Sequence, residues 1–315
     1  MTLLAATMGV FYPLPGDQQV FSYAAVELLR GARPGIELWE VKPPLHLYLF
    51  ALFFKTFGIH EYSTILGDFL FQFFCASIFT WGLSRRIGAF YAILTSVLYL
   101  FTYYAICVYA DRVQVEGITN GFFLASLGLV LLDHPLAWLF SGFFTATGGL
   151  TKFLQLIFII PLLALNEATK RPGNSKTRRI LIFSGFFLGI FFWLTLWGIH
   201  GSLRGIWTDV MLSKAVHGGG SLAPLTDAAP LIFYYLITCF PINIILMFFC
   251  SFLIDWHSVK TESSAKFDPI WFLSFLMFWF LAAAFTLSIQ HKWHVYHYLH
   301  FMPLDRKSTR LNSSH

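Results

Sequence analysis

YSTILGDFLFQFFCASIFTWGLSRR, residues 62–86, decides what kind of protein this is. From Tyr62 to Leu83 a single charged side chain, Asp68, interrupts an apolar run, and Arg85 and Arg86 close it. As a helix, about 22 residues rise roughly 33 Å, enough to cross a hydrocarbon core about 30 Å thick. The rest of the chain repeats the pattern. It is 57% hydrophobic, 19% aromatic and only 12% charged, where a soluble domain carries about 25% charged residues. With 37 phenylalanines, a water-soluble fold would expose far too much apolar surface. The expected class is an all-α polytopic membrane protein.

Further candidate spans lie near 87–109, 117–132, 136–150, 153–165, 180–199, 229–253 and 269–289, with another beginning near 296. The opening MTLLAATMGVFY, at 12 residues, is too short to cross and reads as the end of a first span whose start is missing. Residues 44–58, PLHLYLFALFFKTFG, are apolar but broken by His46 and Lys55, which suits a helix lying in the interface. The last eleven residues, DRKSTRLNSSH (305–315), are abruptly polar and resemble a translated sequencing adapter. We set them aside as an artefactual tail and read 1–304 as one transmembrane domain truncated at both ends.

Orientation follows from two local basic clusters, SRR (84–86) and NEATKRPGNSKTRR (166–179), which the positive-inside rule places in the cytoplasm. Residues 254–268 then also lie inside, and 13–61, 110–116, 200–228 and 290–295 lie outside. The formal net charge of +5 comes partly from the tail and implies no nucleic-acid partner. The four cysteines, Cys75, Cys107, Cys239 and Cys250, all sit in apolar segments without metal-ligand spacing and read as small buried hydrophobes.

In such a chain the informative residues are the ionisable ones, because each is costly near lipid. The outer segments collect them. GDQQVF supplies Asp17; ELWEVKPP supplies Glu37, Glu40 and Lys42; YADRVQVEG supplies Asp111, Arg112 and Glu116; GLTKF supplies Lys152; QHKWHVYHYLHFMP supplies Lys292 and four histidines. By residue type alone these readings stay open. Asp17 is equally an interfacial acid, and Lys42 a partner of Glu40 or a snorkelling cation. Glu116 could cap the span after it, Lys152 could snorkel, Asp111 and Arg112 could form a loop ion pair, and His297 could simply pack. Asp68 is left unassigned. HGGGS (217–221) reads as a flexible outer loop and only weakly as a phosphate cradle.

The ordered set resembles the polytopic glycosyltransferases of the protein O-mannosyltransferase and lipid A aminoarabinose transferase group, which are glycosyltransferase family 39-like. The matching residues are Asp17-Gln18, Tyr23, RGARPG, WEVKPPL, the KTFG at 55–58, Glu116, Lys152 in GLTKF, and His297-Tyr298 with Pro303. Two departures stand out: Gln18 replaces a more familiar Glu, and no Arg opens the second span. The resemblance implies a C-type glycosyltransferase helical bundle with outer juxtamembrane helices, in the inner cell membrane, with its site facing outward. It implies transfer of a sugar, with inversion, from a polyprenyl-phosphate carrier to a lipid, glycan or protein acceptor.

In that reading Asp17 is the base. Lys42, Lys152 and Arg112 hold the donor phosphate, and Glu40, Glu116, His297 and Tyr298 bind the acceptor or orient the lysines. No obligatory cofactor is expected. There is no Gly-rich phosphate loop, and although Asp, Glu and His are at hand for a divalent cation, no HExxH or DxD pattern supports one. The rival readings are a transporter or lipid flippase, which would carry charges at mid-membrane and internal repeats, and an inactive scaffold relative.

Overall fold

The computed structural model describes residues 16–40, 42–101, 103–104, 113–168 and 175–217, with residues 274, 275, 277, 278, 281 and 282. Among these there are nine α-helices and no strand: α1 Gly16–Leu29, α2 Leu45–Phe57, α3 Glu61–Ile87, α4 Ala89–Phe101, α5 Val115–Val130, α6 Pro135–Gly149, α7 Ile159–Ala168, α8 Ser175–His200 and α9 Leu203–His217. A 3-10 turn, Phe153–Phe158, leads into α7. The protein is an all-α membrane protein. α3 and α8 are long and apolar enough to cross a bilayer. Their outward side chains are large and apolar: Phe73, Phe74, Phe187, Phe191 and Ile199 are all exposed. Such a surface is stable against lipid tails and costly against water.

The helices follow the apolar runs, with two corrections. The stretch read as a span at 153–165 is a 3-10 turn followed by a helix of 10 residues, too short to count with α3 and α8 as a span. Residues 203–217, expected within an outer loop, form α9. Its start is capped by Ser202, whose hydroxyl accepts the Gly205 amide at 3.0 Å, and Ile206 and Val210 are buried. A polar stretch reads as loop when its few apolar residues are counted, but two buried contacts and a cap suffice to make it helical. Several expectations lie outside the described residues: the Met1–Tyr12 stretch, Asp111, Arg112, Cys107, Cys239, Cys250, the loop 254–268, Lys292, His297, Tyr298, the spans at 229–253 and from 296, most of 269–289, residues 218–221 of HGGGS, and the 305–315 tail.

Small residues set the helix spacing. A Cβ added at Gly82 of α3 would overlap the backbone of Gly128 on α5, and one at Gly185 of α8 would overlap the Leu139 backbone on α6. Between α5 and α6, the Ser126 hydroxyl lies 2.6 Å from that of Thr145 and donates to the Ser141 carbonyl at 2.7 Å. In lipid there is no hydrophobic drive between helices, so close backbone packing and such hydroxyl bonds hold them together.

The bundle has two chemically different ends. At one, Arg86 of α3 donates to the Leu131 carbonyl at 3.1 Å, and Arg178 of α8 donates to the Val130 carbonyl at 3.2 Å while stacking on Trp138. Both basic clusters singled out in the sequence thus meet at the C-terminal end of α5, where cations complement the helix dipole. At the other end, an apolar cluster joins Phe21 and Ala25 of α1, Leu45, Phe50 and Phe54 of α2, Ile118 of α5, Leu150 after α6, Trp197 of α8 and Ile206 of α9. That cluster is the floor on which the charged segments of that end rest.

The glycine contacts make a direct prediction. Gly185→Leu should destabilise the purified protein in detergent by about 1–3 kcal/mol or more through overpacking against α6. Gly198→Ala in the same helix, where only the Leu203 side chain comes within 4 Å of the added carbon, should leave the melting midpoint unchanged or raised.

Candidate functional site

The segment from α1 to α2 is built as a mount. Gly35 has φ +72°, a backbone region that glycine favours, and packs against the Gly205 backbone. The Ser202 amide donates to the Pro34 carbonyl at 3.0 Å, which ties this turn to the α8–α9 junction. Arg33 and Glu37 close the turn with an exposed ion pair of 2.7 Å, and Glu37 also accepts the Arg33 amide at 2.8 Å. Glu37 is therefore occupied in shaping the loop.

The chain then reaches Glu40, which is buried and accepts the Lys42 amide at 3.2 Å. Two buried prolines follow, and the Pro44 carbonyl accepts the Leu47 amide at 3.0 Å to start α2. Fixed φ and missing N–H groups make two prolines a natural lead into a helix. Lys42 is thereby aimed back at α1. Its ammonium lies 3.4 Å from Asp17 Oδ2 and 4.5 Å from the centre of the Phe21 ring. Asp17, in the first turn of α1, is about half exposed (51%), whereas Lys42 is largely covered (12%). Gln18 beside it is buried.

The second pair is deeper. Glu116, in the first turn of α5, is fully buried and accepts a hydrogen bond from the Lys152 ammonium. Lys152 sits at the start of the 3-10 turn after α6. The Thr119 and Thr151 hydroxyls bond to each other beside the pair, and Thr151 also donates to the Gly148 carbonyl at 2.7 Å. A buried carboxylate is tolerated here because its cation is in contact and the lysine reaches outward.

His46 lies between the two pairs. It is completely buried, packs its ring against Phe21 with centroids 4.5 Å apart, and donates from Nδ1 to the Pro43 carbonyl at 3.1 Å. Its other nitrogen, Nε2, faces Glu40 Oε2 at 4.0 Å and has no hydrogen-bond partner among the described residues. Burial, reinforced by the Lys42 and Lys152 charges, pushes the imidazole down to about 3, so it stays neutral at physiological pH. A neutral ring makes no ion pair with Glu40. Asp209 of α9 also reaches this region: burial raises its carboxyl, and the nearby Glu40 backbone opposes that shift.

Asp68, unassigned from the sequence, is buried behind Glu116. Tyr104 donates to its Oδ2 at 3.0 Å, Tyr103 to its Oδ1 at 3.3 Å, and the Gln72 amide nitrogen to Oδ1 at 3.4 Å. The same Gln72 nitrogen donates to the Gly117 carbonyl at 2.8 Å, and the Tyr103 oxygen accepts the Val113 amide at 3.4 Å. Val113 has φ +58°, a strained value for a β-branched residue. The Asp68 network thus grips α5 on both sides of Glu116, so Asp68 acts as a positioning residue.

Of the residues expected to carry the site, the structure brings together Asp17, Glu40 and Lys42 in one group and Glu116 and Lys152 in a second, with His46 between them. Arg112, His297 and Tyr298 lie outside the described residues. His46 and Asp209 were not expected at the site. His46 left a trace as a polar break in an apolar run, whereas Asp209 lay in what read as loop. Among the described residues, no three His, Cys, Asp or Glu side chains gather so as to hold a metal ion.

The family described as Dolichyl-phosphate-mannose-protein mannosyltransferase matches residues 41–197. The chain belongs to that family. No curated protein and no solved structure matches it. The matched stretch contains Lys42, His46, Glu116 and Lys152, and Asp17 and Glu40 precede it. Membership makes the protein a glycosyltransferase of the mannosyltransferase type.

The neutral histidine predicts an acid-sensitive fold. An unfolded chain protonates His46 near its ordinary value of 6.5, and the folded one resists to about 3. Between these values the unfolded state holds the extra proton, so stability falls as pH drops, by up to about 1.4 kcal/mol per unit from this group. Above pH 6.5 the contribution is flat. Denaturation followed between pH 7 and 5 should show this loss, and His46→Gln should flatten it.

Proposed function

We propose that the site transfers a sugar from a polyprenyl-phosphate carrier to an acceptor hydroxyl on the outer side of the membrane, with inversion. The observation that carries the reading is the convergence of one half-exposed carboxylate, Asp17, with two largely covered ammonium groups, Lys42 and Lys152, at one end of a lipid-facing bundle. A lipid-linked donor presents its phosphate at the membrane surface, where these cations lie. An ammonium has three donors, so each lysine can keep its carboxylate partner and still hold a phosphate oxygen.

The chemistry balances with these groups. The acceptor oxygen forms a bond to the anomeric carbon from the face opposite the phosphate, and the carbon–oxygen bond to the phosphate breaks. The phosphate leaves with the bonding electrons and is stabilised by Lys42 and Lys152. The acceptor proton passes to Asp17, the carboxylate most open to an incoming hydroxyl. Glu116 and Glu40 set the positions of the cations: Glu116 holds the Lys152 ammonium, and Glu40 holds the Lys42 backbone. Arg112 is proposed to add to the phosphate contacts, and His297 and Tyr298 to the acceptor side. A transporter reading has less support, because the charges gather at one end instead of along a central path.

The test is transfer from a radiolabelled polyprenyl-phosphate sugar by the full chain in proteoliposomes. Asp17→Asn should lower turnover about 10²–10⁴-fold with little change in donor affinity. Lys152→Gln should raise the donor KM, because it removes a phosphate contact. Full turnover by Asp17→Asn would exclude it as the base, and vectorial movement of a solute without sugar transfer would exclude the enzyme reading.

A further inference from the structure

At the arginine end of the bundle, opposite the carboxylates and lysines, a cleft of about 650 Å³ opens between the last turns of α3 and the turn joining α5 to α6. Its polar floor contains Arg85, Arg86 and His134, and its wall contains Trp81, Leu136 and Phe140. The 27 residues of α3 place about 40 Å of helix between this end and Glu61, so the cleft is separate from the site described above.

The two halves of the cleft differ in chemistry. Arg86 is held rigid by its bond to the Leu131 carbonyl. Arg85 is exposed and has no ion-pair partner among the described residues. Asp133 also lines the cleft, which leaves the two guanidiniums in excess by one charge. The wall is unusually open for such large apolar groups: Trp81 is 54%, Leu136 56% and Phe140 47% exposed. An indole at the end of a spanning helix sits at the depth of the headgroups.

We propose that this cleft binds an anionic phospholipid of the adjoining leaflet, with its phosphodiester on Arg85 and an acyl chain along Trp81, Leu136 and Phe140. The charge fits a phosphate monoanion, since the planar fork of Arg85 can donate two parallel hydrogen bonds to it. The volume lies within the range of small-molecule sites, about 300–1,000 Å³, and matches a headgroup with the first segments of its chains. A basic pocket between spanning helices is a recurring way to hold such headgroups. A free phosphate would satisfy Arg85 but leave the apolar wall uncovered, and a neutral lipid would cover the wall without answering the excess charge. A bound lipid would brace the α5–α6 turn, where Arg86 already ties α3 to Leu131.

The test is native mass spectrometry of the full chain in neutral detergent, titrated with phosphatidylglycerol or with phosphatidylcholine of identical chains. One phosphatidylglycerol should be retained in preference, by roughly tenfold: both lipids carry a phosphodiester, but only phosphatidylcholine adds a cation that the excess guanidinium charge repels. Arg85→Ala should abolish the preference, Arg85→Lys should restore part of it, and Phe140→Ser should weaken both lipids. Arg85 is exposed, so the melting midpoint of Arg85→Ala in lipid-free detergent should match the unmodified chain. Equal retention of the two lipids, or a preference that survives Arg85→Ala, overturns the proposal. Displacement of the lipid by millimolar inorganic phosphate assigns the cleft to a soluble anion instead. Displacement by a polyprenyl phosphate at equal concentration assigns it to the donor lipid, and that result also overturns the proposal.

Discussion

Glu116 has no exposed surface, yet it carries a carboxylate at the top of an apolar helix bundle. Everything at that end is arranged around keeping it there. Lys152 must reach it, so the chain after α6 is drawn into a 3-10 turn that starts at that lysine. The start of α5 must be fixed in rotation, and Gln72 does this by bonding the Gly117 carbonyl while sharing Asp68 with two tyrosines. Removing one partner of a buried pair leaves an uncompensated charge, which costs about 3–5 kcal/mol. A bundle built for stability alone would have no use for that risk. Its presence marks a place where charge in a fixed position is needed.

The same logic explains the second pair and the silent histidine. Lys42 is positioned by a rigid segment held by the Pro34 turn on the α8–α9 junction, the Arg33–Glu37 ion pair, two prolines and the Phe21 ring. His46 fills the space between the lysines without adding charge, because burial and the two cations keep it neutral. Positive charge is thereby concentrated on two paired ammonium groups and not spread through the interior. At the opposite end, arginines do the structural work, closing the carbonyls of α5 through Leu131 and Val130. One end of the molecule holds a partly exposed acid beside an anchored cation, with a second cation paired to buried Glu116, while the other is a set of helix caps with an open cleft.

Much of this was legible in the residues, for reasons that can be stated. The span read at 62–83 is α3, and it runs on to Ile87 because Ser84, Arg85 and Arg86 remain helical until Gly88, at φ +87°, ends the helix. The interfacial helix read at 44–58 is bounded by Pro44 and Gly58, as the residue types require. Pairing was less legible. Neighbours in sequence made Glu40 the natural partner of Lys42, but Glu40 takes only the backbone N–H, and the ammonium crosses 25 residues to Asp17. Glu116 and Lys152, 36 residues apart, could be collected on one face from hydropathy, but no periodicity shows that two residues touch. His46 and Asp209 carried no motif. Only the folded chain brings them beside Glu40.

The central claim is that the donor phosphate is held between Lys42 and Lys152. It is tested most directly by photocrosslinking with a polyprenyl-phosphate sugar analogue that carries the photoreactive group next to its phosphate. After cleavage, the label should map to peptides from residues 38–48 and 149–155, and excess unmodified donor should suppress it. Donor-competable label at the Arg85–Arg86 end, with none on the lysine segments, would contradict the account.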